Sequence, residues 1–133
     1  MSNTSERYKL YRYCSFKTSK TITQEYSTSF YAATDMFPAD MRDAIHSIYG
    51  FVRIADEIVD SFHEHDREKL LRDFERDYDE AYEMGISTNP ILYSFQWTVK
   101  QYNIPDEYIR SFLASMRRDL EKKSYETEEE IAS

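Results

Sequence analysis

The 133-residue chain has few of the residues that bend a backbone sharply: two glycines and three prolines. That is too few for a chain built on many tight turns. A single cysteine, Cys14, excludes an internal disulfide and agrees with a reducing compartment, where a buried or inert thiol is its expected role. No run approaches about 18 apolar residues, so no membrane-spanning helix is expected, and the polar N-terminus lacks a signal-peptide pattern. A Walker loop, a Gly-rich phosphate loop and a nucleophile elbow are all absent. Positive charge is also scarce, with 17 basic residues against 25 acidic ones and a net charge of −8. Nucleic acid is therefore not an expected partner, because its phosphates need a positive patch. Any anionic substrate would need a metal ion or a local basic cluster.

What the chain does have is length for one domain with a modest core, and aromatics at 16%, twelve of them tyrosine. Tyrosines usually pack at cores and boundaries, although an aromatic wall also stabilises cations. The pattern reads as helices joined by short loops. A weakly helical stretch runs from about Glu6 to Lys20, with Tyr8, Leu10, Tyr11, Cys14 and Phe16 as apolar points. A second element spans about Thr23 to Met36, where Phe37-Pro38 closes it, since the residue before proline avoids the α region. A third helix is expected from about Ala39 to Phe62. The fourth starts near Asp66, a good N-cap, carries Leu70, Leu71, Phe74, Tyr78, Ala81 and Tyr82 at helical spacing, and stops at Gly85. Asn89-Pro90 opens a fifth, to about Tyr102. Pro105 opens a sixth, with Tyr108, Phe112 and Met116 on one face and Asp119 near its end. Thr127-Glu-Glu-Glu130 has the form of a capping box, which signals a new helix. The alternatives there are a frayed acidic tail or a cut inside a larger fold.

The third helix carries Arg53-Ile-Ala-Asp56-Glu-Ile-Val-Asp60, a D-x-x-x-D pair in an apolar pattern. At about 3.6 residues per turn, Asp56 and Asp60 stand one turn apart on one face. Two such carboxylates can share a hard divalent cation, and Mg²⁺ characteristically takes one or two carboxylates plus phosphate oxygens. The spacing alone also fits an ordinary solvated face. Ile48, Phe51, Val52, Ile54, Ala55, Ile58 and Val59 fill a broad apolar arc. Tyr49, Arg53, Asp56 and Asp60 fall in a narrow polar stripe beside it, which could line a cleft or face water. Arg53 lies three residues before Asp56, so a simple helical ion pair is the plainer reading of that contact.

The other chemical candidates are weaker. His63 and His65 form an H-x-H in a loop but lack further ligands at metal-site spacing. The hydroxyls of Tyr26-Ser27-Thr28-Ser29-Phe30 could donate to phosphate oxygens, or could cap helices and make local turns.

Taken in order, Tyr26-Ser-Thr-Ser-Phe30, Phe37-Pro38, Arg42-Asp-Ala44 and Ile48-Tyr49-Gly-Phe-Val-Arg53-Ile-Ala-Asp56-Glu-Ile-Val-Asp60 resemble the opening of squalene/phytoene synthases. The likeness is closest to the bacterial phytoene synthases. It runs on through Asp119 and Tyr125-Glu-Thr127 and covers the chain from about Cys14 onward. The ordered set S-x-S-F then Y-x-x-x-R-x-x-D-x-x-x-D is far more specific than any one of its members. The resemblance implies an all-α prenyl-synthase fold and head-to-head coupling of two prenyl diphosphates, geranylgeranyl or farnesyl. It implies that Asp56 and Asp60 hold Mg²⁺, with Mn²⁺ as the alternative cation. Tyr49, Arg53 and the segment Tyr26, Ser27, Thr28 and Ser29 would bind diphosphate, and Phe30 would line the prenyl tunnel. Glu57 stands where a second aspartate is often found; it points about 100° away from Asp56 and is expected to matter little.

The family's fold is about twice this long, and its second aspartate motif has no counterpart after Asp60. The expectation is an N-terminal half of a prenyl-synthase domain over residues 1–133, inactive alone, with self-association or a missing C-terminal half as its complement. The alternatives are a non-catalytic helical half-domain that pairs with a partner chain or binds prenyl lipid, and a plain helical scaffold. The expected location is the cytoplasm or the periphery of a membrane.

Overall fold

Six helices and no strand make up the described part of the chain: α1 (Ser2–Tyr26), α2 (Thr28–Thr34), α3 (Ala39–Asp60), α4 (Arg67–Met84), α5 (Pro90–Gln101) and α6 (Asp106–Ala132). The structure, a computed structural model, describes residues 2–132, with side chains for residues 3–123. The fold is all-α, as the sequence implies. Among the described residues no helix is long and apolar enough to cross a membrane.

Local chemistry sets most of the helix ends. Asp66 accepts from the Lys69 amide at 3.0 Å and opens α4, and Gly85, at φ +72°, closes it in the left-handed region that glycine tolerates. Asn89 Oδ1 accepts from the amides of Ile91 and Leu92, with Pro90 as the first residue of α5.

The first boundary differs from expectation. α1 runs unbroken through Lys20 to Thr23 and ends only at Ser27, whose extended backbone and Oγ, accepting from the Phe30 amide at 3.2 Å, start α2. The reason is that α1 buries a polar row. Ser15, Ser19 and Thr23 are fully buried, while Tyr8, Leu10 and Cys14 are exposed. Each buried hydroxyl returns a hydrogen bond to the carbonyl four residues back or meets a partner across the interface. Ser15 Oγ donates to the Tyr11 carbonyl at 2.8 Å, and Ser19 Oγ lies 2.8 Å from Ser94 Oγ on α5. Small polar side chains let α1 come close to α3. A Cβ on Gly50 would sit 3.1 Å from Ser19 Oγ, tighter than an ordinary contact, so a side chain at position 50 would require Ser19 to give way.

The core gathers around Phe51 of α3. Its ring stacks on Phe95 at 4.0 Å and lies 5.1 Å from Phe74, 5.6 Å from Tyr78 and 5.9 Å from Phe112. α4 contributes Leu71, Phe74, Tyr78 and Ala81, and leaves Leu70 and Tyr82 exposed. On α6 the buried face is Ile109, Leu113, Met116 and Leu120; Tyr108, expected on that face, is 63% exposed. α6 continues as one helix across Thr127–Glu130, so no new helix begins there; the side chains of that pattern and of Tyr125-Glu-Thr127 lie outside the described residues.

His46 joins the polar seam between α1, α2 and α3. Its Nδ1 is 3.0 Å from Thr23 Oγ1 and its Nε2 is 3.4 Å from Thr34 Oγ1, while Ser47 Oγ meets Thr98 Oγ1 at 2.6 Å. Burial, reinforced by the charge of Lys20, holds the His46 imidazole below its ordinary value.

Two outcomes follow from this packing. Phe51→Ala should cost about 3–5 kcal/mol of stability in chemical denaturation; a loss under about 1 kcal/mol would mean that the core is not centred there. The second concerns pH. Above about 6.5 His46 is neutral in both folded and unfolded chains, whereas below it the unfolded chain takes up a proton first. Stability should therefore fall as pH drops from about 6.5 through the lowered folded value, and His46→Gln should flatten that slope. An unchanged slope in the variant would contradict the assignment.

Candidate active site

The polar stripe of α3 lies between two other helices. Tyr49, Arg53, Asp56 and Asp60 follow one another over roughly 16 Å of helix. Beside the upper half runs the junction of α1 and α2. There the Tyr26 ring covers the Arg53 guanidinium at 4.8 Å, and Phe30 stacks on Tyr49 at 5.1 Å. Ser27 is engaged as the cap of α2, and Thr28 and Ser29 are exposed on its first turn. Beside the lower half runs α6, where Lys123 makes an ion pair with Asp60. The two aspartates therefore face α6 more than the Ser27–Phe30 segment. Arg53 links the two halves, with Nη1 3.8 Å from an Asp56 oxygen.

The electrostatics are uneven along the stripe. Burial, then the charge of Asp60, pushes the Asp56 carboxyl above its ordinary value; Asp119 adds to this, and Arg53 and Lys123 oppose it. The fold thus holds Asp56 against its own ionisation, a strain that a divalent cation would relieve. Among the described residues no group of three or more His, Cys, Asp or Glu could hold a metal. Asp56 and Asp60 offer hard carboxylate oxygens and no more than two ligands. That set fits Mg²⁺, whose remaining positions are taken by water and phosphate oxygens. Lys123 holds the Asp60 carboxylate, so it and a cation would compete for the same oxygens.

Glu57 points away from Asp56, as its helical offset implies, but it is not a free surface carboxylate. It is only 16% exposed in its side chain, and it takes hydrogen bonds from Arg53 Nη2, from Ser61 Oγ at 2.9 Å and from the Tyr26 hydroxyl at 3.0 Å. Its offset from Asp56 turns it toward the end of α1, where Tyr26 joins Arg53 and Ser61 of its own helix and cap as partners. The hydrogen bond from Arg53 holds the Glu57 carboxyl below its ordinary value, and the hydrogen bond to Glu57 raises the Tyr26 phenol.

An apolar row adjoins the stripe. Met41, Ile45, Ile48 and Val52 follow at helical spacing one step round α3 from Tyr49 and Asp56. Met41 is 44% and Ile48 37% exposed, while Ile45 and Val52 are half-buried. A groove of about 720 Å³ lies elsewhere, at the opposite end of α3, where Lys9, Arg12, Lys17 and Lys20 meet Tyr31 and Trp97. His63 and His65 sit exposed in the loop after α3, with His63 Nδ1 3.2 Å from Arg67 Nη1.

The squalene/phytoene synthase family model matches residues 23–133. The chain belongs to this family. A phytoene synthase from Arthrospira platensis is 26% identical over 117 residues, which cover 88% of this chain and 38% of that protein. The chain therefore spans less than half the length of that relative. The match takes in α2, α3 and the full run of α6, and so includes every stripe residue as well as Asp119 and Lys123.

Asp119, Lys123 and Glu57 were not picked out as site residues from sequence. A signal existed for the first two: they are four apart and adjoin Met116 and Leu120 once α6 is phased on its buried row.

Proposed function

We propose that this chain forms one wall of a site that couples two prenyl diphosphates head to head, in the manner of a phytoene or squalene synthase. The observation that carries the proposal is the pairing on α3 of a charged stripe with a partly exposed apolar row. An amphiphile with a diphosphate head and a hydrocarbon tail matches both at once. Asp56 and Asp60 would hold Mg²⁺, or Mn²⁺ in its place, which when bound supplies positive charge to the departing diphosphate. Arg53 would present a guanidinium to the diphosphate oxygens, and the hydroxyls of Tyr49, Ser27, Thr28 and Ser29 would donate to them, while Tyr26, whose hydroxyl proton goes to Glu57, would act through the ring that covers Arg53. Phe30, stacked on Tyr49, starts the apolar path that Val52, Ile48, Ile45 and Met41 continue. That path holds the prenyl chain and keeps water from the reacting carbon. The facing aspartate motif of such a site comes from outside residues 1–133.

The test measures binding and folding together. The purified chain should bind inorganic diphosphate in a Mg²⁺-dependent way. Asp56→Asn and Asp60→Asn should each weaken that binding by about tenfold or more, since even outer-shell changes at metal sites cost about 10–100-fold. Melting temperature should stay level or rise at Asp56→Asn, because the folded state disfavours its charge. No coupling of geranylgeranyl or farnesyl diphosphate is expected from residues 1–133 alone. Equal and small effects at both aspartates would instead mark a solvated acidic face. Robust product from the isolated chain would refute the need for an outside wall.

A further inference from the structure

Glu57 has more polar partners than any stripe residue, and no metal role. Both its oxygens are committed: Oε1 accepts from Arg53 Nη2 and from Ser61 Oγ at 2.9 Å, and Oε2 accepts from the Tyr26 hydroxyl at 3.0 Å. Those donors come from two helices, since Tyr26 ends α1 while Arg53 belongs to α3. The Tyr26 ring covers the same guanidinium at 4.8 Å, and Arg53 Nε is buried without a partner. Arg53 is therefore held by a carboxylate on one edge and a ring on one face. Its other terminal nitrogen, Nη1, is left toward Asp56 at 3.8 Å. A free arginine side chain loses considerable rotamer entropy when it binds an anion, and a guanidinium already fixed in plane loses less.

We infer that Glu57 is a positioning residue for diphosphate binding: it fixes Arg53 and the Tyr26 hydroxyl at the stripe without touching substrate or metal. The inference rests on the diphosphate reading above. Three donors converge on Glu57, so a carboxylate is required. In Glu57→Gln a single amide oxygen faces all three, and the amide NH₂ opposes one of them. Glu57→Asp keeps the charge on a shorter stem.

The experiment is a double-mutant cycle read by titration of the chain with inorganic diphosphate in Mg²⁺. Each variant's melting temperature is recorded alongside, so that the comparison is made between folded proteins. Glu57→Gln should weaken binding about tenfold, the lower end of the range for outer-shell partners. Glu57→Asp should recover part of that loss, and Tyr26→Phe should lose less than Glu57→Gln. Arg53→Met should lose at least as much as Glu57→Gln, and adding Glu57→Gln to Arg53→Met should cost little more, because Glu57 acts through Arg53. If Arg53→Met weakens binding while Glu57→Gln does not, or tightens it, the positioning role is wrong and the diphosphate reading stands. Losses that simply add across the two positions would also overturn it, reducing Glu57 to a structural contact. If neither change alters binding, the diphosphate reading itself fails and takes this inference with it.

Discussion

The close approach of α1 to α3 at Gly50 is the contact on which the candidate site depends. With Ser19 Oγ 3.1 Å and Ser19 Cβ 3.3 Å from where a Cβ would stand, even a methyl group at position 50 would make Ser19 give way by a few tenths of an ångström. The end of α1 is where Tyr26 reaches Glu57 and covers Arg53, and where Ser27 turns the chain into α2. A displacement of α1 at Ser19 would be carried two turns along a rigid helix to Tyr26. The small buried hydroxyls of Ser15, Ser19 and Thr23 serve the same end, because they permit close packing and find partners in the Tyr11 carbonyl, Ser94 and His46.

α3 has two unlike sides, and each constrains the other. Phe51, Ala55, Ile58 and Val59 lock it into the core, which leaves Tyr49, Arg53, Asp56 and Asp60 no choice of direction. Asp56 is half-buried next to Asp60, with its carboxyl pushed upward by that burial. A bound cation would favour the ionised form that this burial disfavours. Glu57 stands at the same level of the helix yet behaves oppositely: its charge is favoured by the hydrogen bond from Arg53.

How much of this was readable from the sequence varies by element. The ends of α4 and α5 were legible because a single residue decides each: Asp66 and Asn89 as caps, Gly85 as the left-handed stop. The D-x-x-x-D pair was legible because its spacing matches the helical period. α1 was misjudged because its buried face is made of Ser15, Ser19 and Thr23, which hydrophobic periodicity cannot detect. α6 was phased through Tyr108 and Phe112, since aromatic rings weigh heavily in a pattern, although the buried row is Ile109, Leu113, Met116 and Leu120. Lys123 was missed for another reason: it meets Asp60 across 63 residues of sequence, beyond the reach of any local pattern. Glu57 was dismissed on helical angle from Asp56 alone; its partner on α1 is 31 residues away in sequence, a contact that no local pattern reveals.

The central claim is that the lower half of the α3 stripe, together with α6, is a specific divalent-cation site rather than part of a generally acidic surface. Paramagnetic broadening of assigned backbone amides by substoichiometric Mn²⁺ tests it directly, because broadening falls steeply with distance from the bound ion. The account predicts loss of signal centred on residues 56–60 and 119–123, sharpened by added inorganic diphosphate and reversed by excess Mg²⁺. Broadening of equal strength along α4, around the exposed Glu80 and Glu83, with no response to diphosphate, would contradict it.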